Sequence, residues 1–156
     1  MKKWIVLLAT VLCLSSFTAC SEIDPQKLVS QFDQAVGVLG QSQITKDKNL
    51  IGTRVTEKDD YTGYYYADCK KETGRDVVFG GASVENRTVR VFGSVQTTKG
   101  TAALWIRLGE DVEYLEVDED GFFDETLLLD GGGNYVMVEY DDVTGEVHLC
   151  AEYVNT

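Results

Sequence analysis

The sequence predicts a mainly β protein: an antiparallel β-sandwich of about 7–8 strands with one N-terminal amphipathic α-helix. Two observations carry the β prediction. From Tyr61 onward apolar residues recur with a period of two, and turn sequences follow at intervals of about eight to twelve residues. A third observation is the spacing of three and four between apolar residues before Tyr61, which is typical of a helix.

The predicted strands are segments that alternate apolar and polar residues or are rich in β-branched ones. They are 64–69, 77–79, 88–96, 102–108, 112–117, 122–129, 135–140 and 147–153. The turns between them contain glycine, which permits the positive φ angles of tight turns. The last strand is expected to bury Val147, Leu149, Ala151 and Tyr153. Its opposite face then carries His148, Cys150 and Glu152.

The predicted helix covers residues 25–39. Asp24 is placed to cap its N-terminus, and Pro25 suits the first turn. The apolar stripe packs either on the sheet or on another protein, and residues 41–60 are expected to be a polar connector. The stripe is formed by Leu28, Val29, Phe32, Ala35, Val36 and Leu39.

The N-terminus has the pattern of a secretory signal peptide. A basic Met1–Lys3 precedes an apolar run over 4–14, which Ser15 and Ser16 interrupt. The run falls short of the roughly 20 apolar residues that a spanning helix needs. We therefore expect a signal peptide over 1–19, with an uncleaved membrane anchor as the alternative.

The end of this region resembles a bacterial lipobox, in which small residues precede a cysteine that becomes lipidated. Thr18, Ala19 and Cys20 match the pattern, whereas Phe17 departs from the usual leucine. The resemblance implies cleavage before Cys20 and a diacylglyceryl group, carrying chains such as palmitate, on its sulfur. Two such chains contribute on the order of 20 kcal/mol of membrane attachment. The alternative is ordinary cleavage nearby, with Cys20 left as a free thiol.

Cleavage divides the chain into three regions: the signal peptide over 1–19, the tether, helix and connector over 20–60, and the β-sandwich domain over 61–156. The mature chain has 156 − 19 = 137 residues, which suits one core. Its formal charge is (14 − 2) − 26 = −14, because only Lys2 and Lys3 leave with the signal peptide. This charge argues against nucleic acid and anionic headgroups as partners. The expected location is extracytoplasmic, lipid-anchored to the cell membrane or, in a Gram-negative host, to the outer membrane.

Cysteine usage predicts one disulfide bond. Of the four cysteines, Cys13 leaves with the signal peptide and Cys20 carries the lipid. Cys69 and Cys150 remain as an even pair in an oxidising compartment, so they are expected to bond with each other. Two buried free thiols are the alternative.

The run over 89–153 is similar to bacterial immunoglobulin-like β-sandwich modules found on surface lipoproteins and secreted enzymes. This resemblance implies an immunoglobulin-like form of the sandwich. An antibody-type domain is not implied, because Trp105 lies 105 − 69 = 36 residues after Cys69, and His148 stands where a tyrosine would precede the second cysteine. The residues that carry the resemblance are Val91–Val95, Val117–Phe123, Leu127–Val138 and Asp142–Glu146.

Aromatic residues supply the candidate ligand-binding groups. The densest cluster is Tyr61, Tyr64, Tyr65 and Tyr66, and aromatic rings stack on sugars or fill protein interfaces. Packing within the domain explains the tyrosines equally well. Trp105 is predicted on the non-core face of its strand, where the N-terminal helix covers it or a ligand meets it.

Acidic residues around Gly121 supply a weak calcium candidate. Asp118, Asp120 and Asp124 superficially resemble a calcium loop, but the full loop pattern is absent, so a charged hairpin turn is favoured and no metal or cofactor is expected. The single histidine, His148, has no nucleophile beside it in sequence, so enzymatic activity is not expected.

Together these features favour a non-catalytic binding or assembly module, tethered to a membrane through lipid on Cys20, that holds an unidentified protein or glycan. Two alternatives stay open. One is a surface hydrolase that works through a pair of carboxylates. The other is a structural spacer of the cell envelope.

Overall fold

A computed structural model describes residues 43–84 and 86–154 of the chain. Within them a short 3-10 helix precedes six strands. The helix spans Asp47–Asn49, and the strands are β1 (Thr53–Thr56), β2 (Gly63–Ser83), β3 (Arg87–Leu108), β4 (Asp111–Leu115), β5 (Phe122–Leu129) and β6 (Gly132–Tyr153).

The six strands form one antiparallel sheet. Its order is β1-β2-β6-β3-β4, and β5 pairs with β3 as well. Strand β6 pairs along its length with β2 on one side and with β3 on the other. On its other side β3 pairs with β5 over 87–94 and with β4 over 104–108. The predicted mainly β, antiparallel class is confirmed.

The strands are fewer and longer than the sequence predicts. Each of β2, β3 and β6 joins two predicted strands, because glycines expected to end a strand lie at bends within one. Gly100 has a φ of 74° and Gly145 a φ of 147°. A Cβ at Gly145 would lie 2.1 Å from the carbonyl oxygen of Gln96, so only glycine fits there. Register shifts next to Gly100 and near Gly74 mark the same bends.

The bends divide each long strand into two arms that bury opposite parities. In β6 the first arm buries Val138 and Tyr140, whereas the second arm buries Val147, Leu149 and Ala151. Burying a side chain of this size contributes about 1.5–3 kcal/mol. The predicted core face of the last strand is therefore confirmed for those three residues, while Tyr153 is partly exposed.

Both arms contribute to one core, and a buried polar group joins them. The Tyr65 hydroxyl lies 2.6 Å from Asp76 Oδ2 and 2.7 Å from the hydroxyl of Tyr140. The backbone N–H groups of Ile51 and Gly52 donate to the same Asp76 oxygen. We call Tyr65, Asp76 and Tyr140 the Asp76 node. Burial raises the pKa of Tyr65 far above its usual range, so this hydroxyl stays protonated and donates to Asp76.

The predicted disulfide bond between Cys69 and Cys150 is wrong, because both thiols are free. Cys69 pairs with Gly145 across the β2–β6 ladder, whereas Cys150 lies five positions further along β6, about 17 Å away. The two side chains also lie on opposite faces of the sheet. A disulfide needs Cα atoms within about 7 Å. Burial raises the pKa of the Cys69 thiol to about 11.

Several predictions concern residues outside those described: the signal peptide over 1–19, Cys20 and the helix over 25–39. Part of the predicted connector over 41–60 is regular structure, since it contains β1 and the 3-10 helix. No helix within 43–84 or 86–154 is long and apolar enough to cross a bilayer.

Candidate binding face

The tyrosine cluster splits according to strand alternation. Tyr65 points into the core and is fully buried, and Tyr61 is buried beneath the guanidinium of Arg87. Tyr64 and Tyr66 point to the opposite face of β2, where Tyr64 is 40% exposed. Only these last two of the four predicted tyrosines lie where a ligand could reach them.

Cross-strand pairing extends this surface from β2 to β5 in two rows. Residues paired across an antiparallel ladder share a face, so each row is a line of neighbouring side chains. Three strand spacings make each row about 14 Å long. One row is Tyr66, His148, Ser94 and Phe122, and the other is Tyr64, Cys150, Phe92 and Asp124. We call Tyr64, Tyr66, Phe92, Phe122 and His148 the outer aromatic face.

His148 organises the tyrosine end of this face. Its Nδ1 lies 2.9 Å from the Tyr64 hydroxyl, and its ring centroid is 4.7 Å from that of Tyr66. Its Nε2 lies 3.3 Å from Glu146 Oε2. Because a carboxylate only accepts, Nε2 donates to Glu146, and in the neutral ring Nδ1 accepts from Tyr64. The predicted position of His148, Cys150 and Glu152 on the face opposite the core is confirmed; Glu152 is exposed, and the other two are half-buried.

The phenylalanine end is an open hollow of about 810 Å³ beside β5. Phe122, at the start of β5, is 56% exposed, while its neighbour Phe123 points into the core. We call this part of the face the phenylalanine hollow. Its lining includes Phe92, Ser94, Phe122 and His148, together with the carboxylates of Glu116, Asp118 and Asp124.

Arg90 stabilises one wall of the hollow. Its guanidinium binds both oxygens of Asp124, at 2.8 and 2.6 Å, and Glu152 at 3.1 Å. The same guanidinium lies 4.5 Å from the centroid of the Phe92 ring, a cation–π arrangement. These hydrogen bonds hold the pKa of Asp124 below its usual value. The Asp124 carboxylate is therefore ionised and already occupied.

The predicted calcium candidates do not converge on one point. Asp118 Oδ1 accepts the backbone N–H groups of Asp120 and Phe122, at 3.0 and 2.7 Å, which closes the hairpin turn before β5. Asp124 is held by Arg90. No group of three acidic, histidine or cysteine side chains placed to hold a metal occurs in the described part of the chain.

Trp105 lies on the outer side of the other arm, away from the tyrosines. It shares a row with Val77, Met137 and Tyr114, and its ring meets Tyr114 edge-on at 5.4 Å. Its indole nitrogen is buried and has no hydrogen-bond partner among the described residues. The structure therefore does not bring Trp105 and the tyrosine cluster into one site.

Phe92 and Phe122 belong to the site although the sequence did not predict them there. The signal was present in the alternation of their strands, because Phe92 follows a core residue, Val91, and Phe122 precedes another, Phe123. The pairing of β3 with both β5 and β6, which brings these rings beside His148, is a long-range feature with no local pattern.

No protein family model matches the chain, and no curated protein is significantly similar to it.

Proposed function

We propose that this protein is an extracytoplasmic lipoprotein, anchored through lipid on Cys20, whose β domain binds a protein or a glycan through the outer aromatic face and catalyses no reaction. The observation that carries the binding role is the set of aromatic side chains that four paired strands place on one face, with Phe122 and Tyr64 exposed to solvent.

Two exposed rings at the ends of one face, with half-buried aromatic residues between them, are the feature that supports binding. Single exposed apolar residues are common, whereas a contiguous aromatic patch with polar groups at its rim is typical of interaction surfaces. Paired strands of the sheet carry these rings, and His148 fixes Tyr64 by a hydrogen bond. A surface already held in place loses little side-chain freedom when its partner arrives.

The alternative of a carboxylate-dependent hydrolase has less support. Such an enzyme needs two carboxyl groups free to exchange protons with substrate and water. Asp124 is occupied by Arg90, Asp118 uses one oxygen to hold the turn, and both ring nitrogens of His148 already have partners, which leaves Glu116 as the one carboxylate of the hollow with no partner among the described residues. The arrangement of these groups favours binding over turnover.

The anchor is supported by the sequence alone, through the signal peptide pattern and the lipobox resemblance. Intact-mass measurement of protein purified from its native host tests it. We expect a chain that begins at Cys20 and carries acyl groups, and a Cys20→Ser variant that accumulates without them. A mature N-terminus without fatty acid would contradict the anchor and leave the binding proposal standing.

The binding role is tested by screening the purified protein against immobilised glycans and against peptides derived from its host's surface proteins. A Tyr64→Ala, Phe122→Ala double variant is expected to lose at least about tenfold in affinity for any ligand found. Tyr114→Ala is the matched control, since it removes an equally exposed ring from the other arm. A structural spacer predicts no saturable ligand, and a hydrolase predicts cleavage of the bound glycan.

The finer fold assignment is also a proposal. We infer that the two arms face each other as the layers of a sandwich of the immunoglobulin-like kind. Support comes from the single core that both arms share and from the contact between Tyr65 and Tyr140 across it. A crystal structure that shows the arms splayed, or strand connections foreign to that class, would contradict this assignment.

A further inference from the structure

We infer that the phenylalanine hollow binds a lysine- or arginine-bearing segment of a partner protein. This inference rests on the proposed function, because it names the class of ligand for one end of the outer aromatic face. It is carried by three observations: the balance of charge in the hollow, the exposure of Phe122, and a cation–π contact that the molecule already makes at the same place.

The charge of the hollow is the first observation. Three carboxylates line it, and one of them, that of Asp124, binds the guanidinium of Arg90. Arg90 is fully engaged, since it binds Asp124 on one side and Glu152 on the other. The hollow therefore presents uncompensated negative charge.

Glu116 and Asp118 are the source of that charge. Neither forms an ion pair with any basic side chain within the described residues. Asp118 uses Oδ1 to accept the backbone N–H groups of its own turn, so its second oxygen is available to a ligand. Two carboxylates beside the exposed ring of Phe122 match a cation that carries an apolar stem.

The rings are the second observation. Phe122 is 56% exposed, so a large part of its surface meets solvent. Lysine and arginine lay their methylene stems along apolar surface while the charged end stays near acceptors. In the hollow, the stem would lie against Phe122 and the charge would reach Glu116 and Asp118.

The third observation is the contact between Arg90 and Phe92. The guanidinium stacks 4.5 Å from the ring centroid and at the same time binds a carboxylate. This intramolecular arrangement has the geometry that we assign to the partner's cation, with Phe122 in place of Phe92. The local environment thus already accommodates a cation held between a phenylalanine ring and an acid.

Charge complementarity favours a basic protein segment over other ligands. An anionic glycan, nucleic acid or anionic lipid would meet like charge, both in the hollow and over a chain of net charge −12. A neutral glycan could stack on the rings, but it would leave the two carboxylates without counter-charge. The hollow has a volume of about 810 Å³ and extends from Phe122 to His148, which suits a chain segment better than a single small cation.

The test uses the detergent-solubilised lipoprotein and a fluorescein-labelled octalysine peptide, followed by anisotropy in 0.1 M salt. The same peptide with every lysine acetylated has equal length without the charge. We expect the octalysine to bind, the acetylated peptide to bind at least about tenfold more weakly, and added salt to weaken the octalysine complex.

Variants locate the binding. Glu116→Gln with Asp118→Asn removes both unpaired charges, and the asparagine keeps the side-chain oxygen that the turn requires. Glu110→Gln with Asp111→Asn is the matched control, because it makes the same charge change at the β3–β4 turn. We expect about a tenfold loss of octalysine affinity for the first pair and less than twofold for the second. Phe122→Ala is expected to lose about threefold or more. Thermal melting verifies that each variant is folded.

Two outcomes would overturn this inference. Equal weakening by both double variants would show diffuse attraction to an acidic protein. Binding of a neutral oligosaccharide such as chitohexaose that depends on Phe122 but not on Glu116 and Asp118 would identify a sugar site, so the inference would fail while the proposed function survived. If neither peptide nor sugar binding responded to Tyr64→Ala and Phe122→Ala, the proposed function would fail as well.

Discussion

Tyr64 and Tyr65 are neighbours in one strand, yet they belong to two regions of the molecule that have different roles. Tyr65 lies in the Asp76 node, where it is buried and bonded to Asp76 and Tyr140. Tyr64 lies on the outer aromatic face, where it is 40% exposed and its hydroxyl is bonded to His148. The comparison teaches that strand alternation, and not residue type, decides whether a tyrosine stabilises the fold or meets a ligand.

The two regions also differ in how they satisfy polar groups. The Asp76 carboxylate is shielded from water and accepts from Tyr65 and from the N–H groups of Ile51 and Gly52. Loss of any member leaves buried groups unpaired. On the outer face, water replaces any hydrogen bond that a substitution removes. Substitutions in the Asp76 node are therefore expected to change the free energy of unfolding most, and substitutions on the outer aromatic face are expected to change ligand affinity most.

The largest effect on stability is expected from Asp76→Ala. This change leaves the Tyr65 hydroxyl and two backbone N–H groups without their acceptor, so the free energy of unfolding should fall by about 3–5 kcal/mol. Urea unfolding followed by circular dichroism measures it. Asp68→Ala is the control on the same strand, because Asp68 is exposed and forms only a surface ion pair with Lys70. A loss of under about 1 kcal/mol for Asp76→Ala would contradict the role of the node.

The next effect is expected from paired tyrosine changes. Tyr65→Phe removes one buried hydroxyl and should lower the free energy of unfolding by about 1–3 kcal/mol. Tyr64→Phe removes an exposed hydroxyl and should change it by less than about 0.5 kcal/mol. The same unfolding titration measures both. Equal losses for the two variants would remove the distinction between the regions.

Alkaline pH should reveal the same contrast through ionisation. The pKa of Tyr65 is raised in the folded protein, mainly by burial, so the unfolded chain releases this proton first. The stability that the neutral hydroxyl contributes is complete below pH of about 10 and is lost as pH rises above that value. Urea unfolding at a series of alkaline pH values should show a shallower decline for Tyr65→Phe than for the wild type. An equal decline for Tyr65→Phe and the wild type would contradict the role of this buried hydroxyl.

The smallest perturbation is chemical labelling of the two thiols. Cys69 faces the core and its pKa is raised to about 11, whereas Cys150 lies partly exposed on the outer side. We expect Cys150 to react with a disulfide reagent about tenfold faster than Cys69 at neutral pH, because Cys150 is accessible to the reagent and Cys69 is buried. Peptide mapping after timed quenching measures the two rates. A mass increase of two hydrogens on reduction would instead demonstrate a bridge.

The sequence predicted the class of the fold and the inward residues of its clearest strands. Alternation over 147–153 placed Leu149 in the core and His148 outside, and both assignments are confirmed. Glycine positions predicted the strand ends less well, because a glycine such as Gly145 permits either a turn that ends a strand or a bend within a continuous strand. Local sequence does not distinguish these, since hydrogen bonds from both neighbouring strands decide the outcome.

The errors about the site have a similar origin. The disulfide prediction rested on an even number of cysteines, whereas the register of β2 against β6 sets the distance between Cys69 and Cys150. Four tyrosines close together in sequence suggested one binding surface, but alternation sends Tyr65 inward. Phe122 joins the face only because β5 pairs with β3, a contact between segments far apart in the chain.

The unbroken course of β2, β3 and β6 through both arms has a consequence for how the domain comes apart. Unfolding one arm alone would break the strand pairing that continues through the bends into the other arm. Unfolding should therefore be a single cooperative event with no half-folded species. Amide exchange in the middle of β6, which is bonded on both flanks, should then report global opening alone.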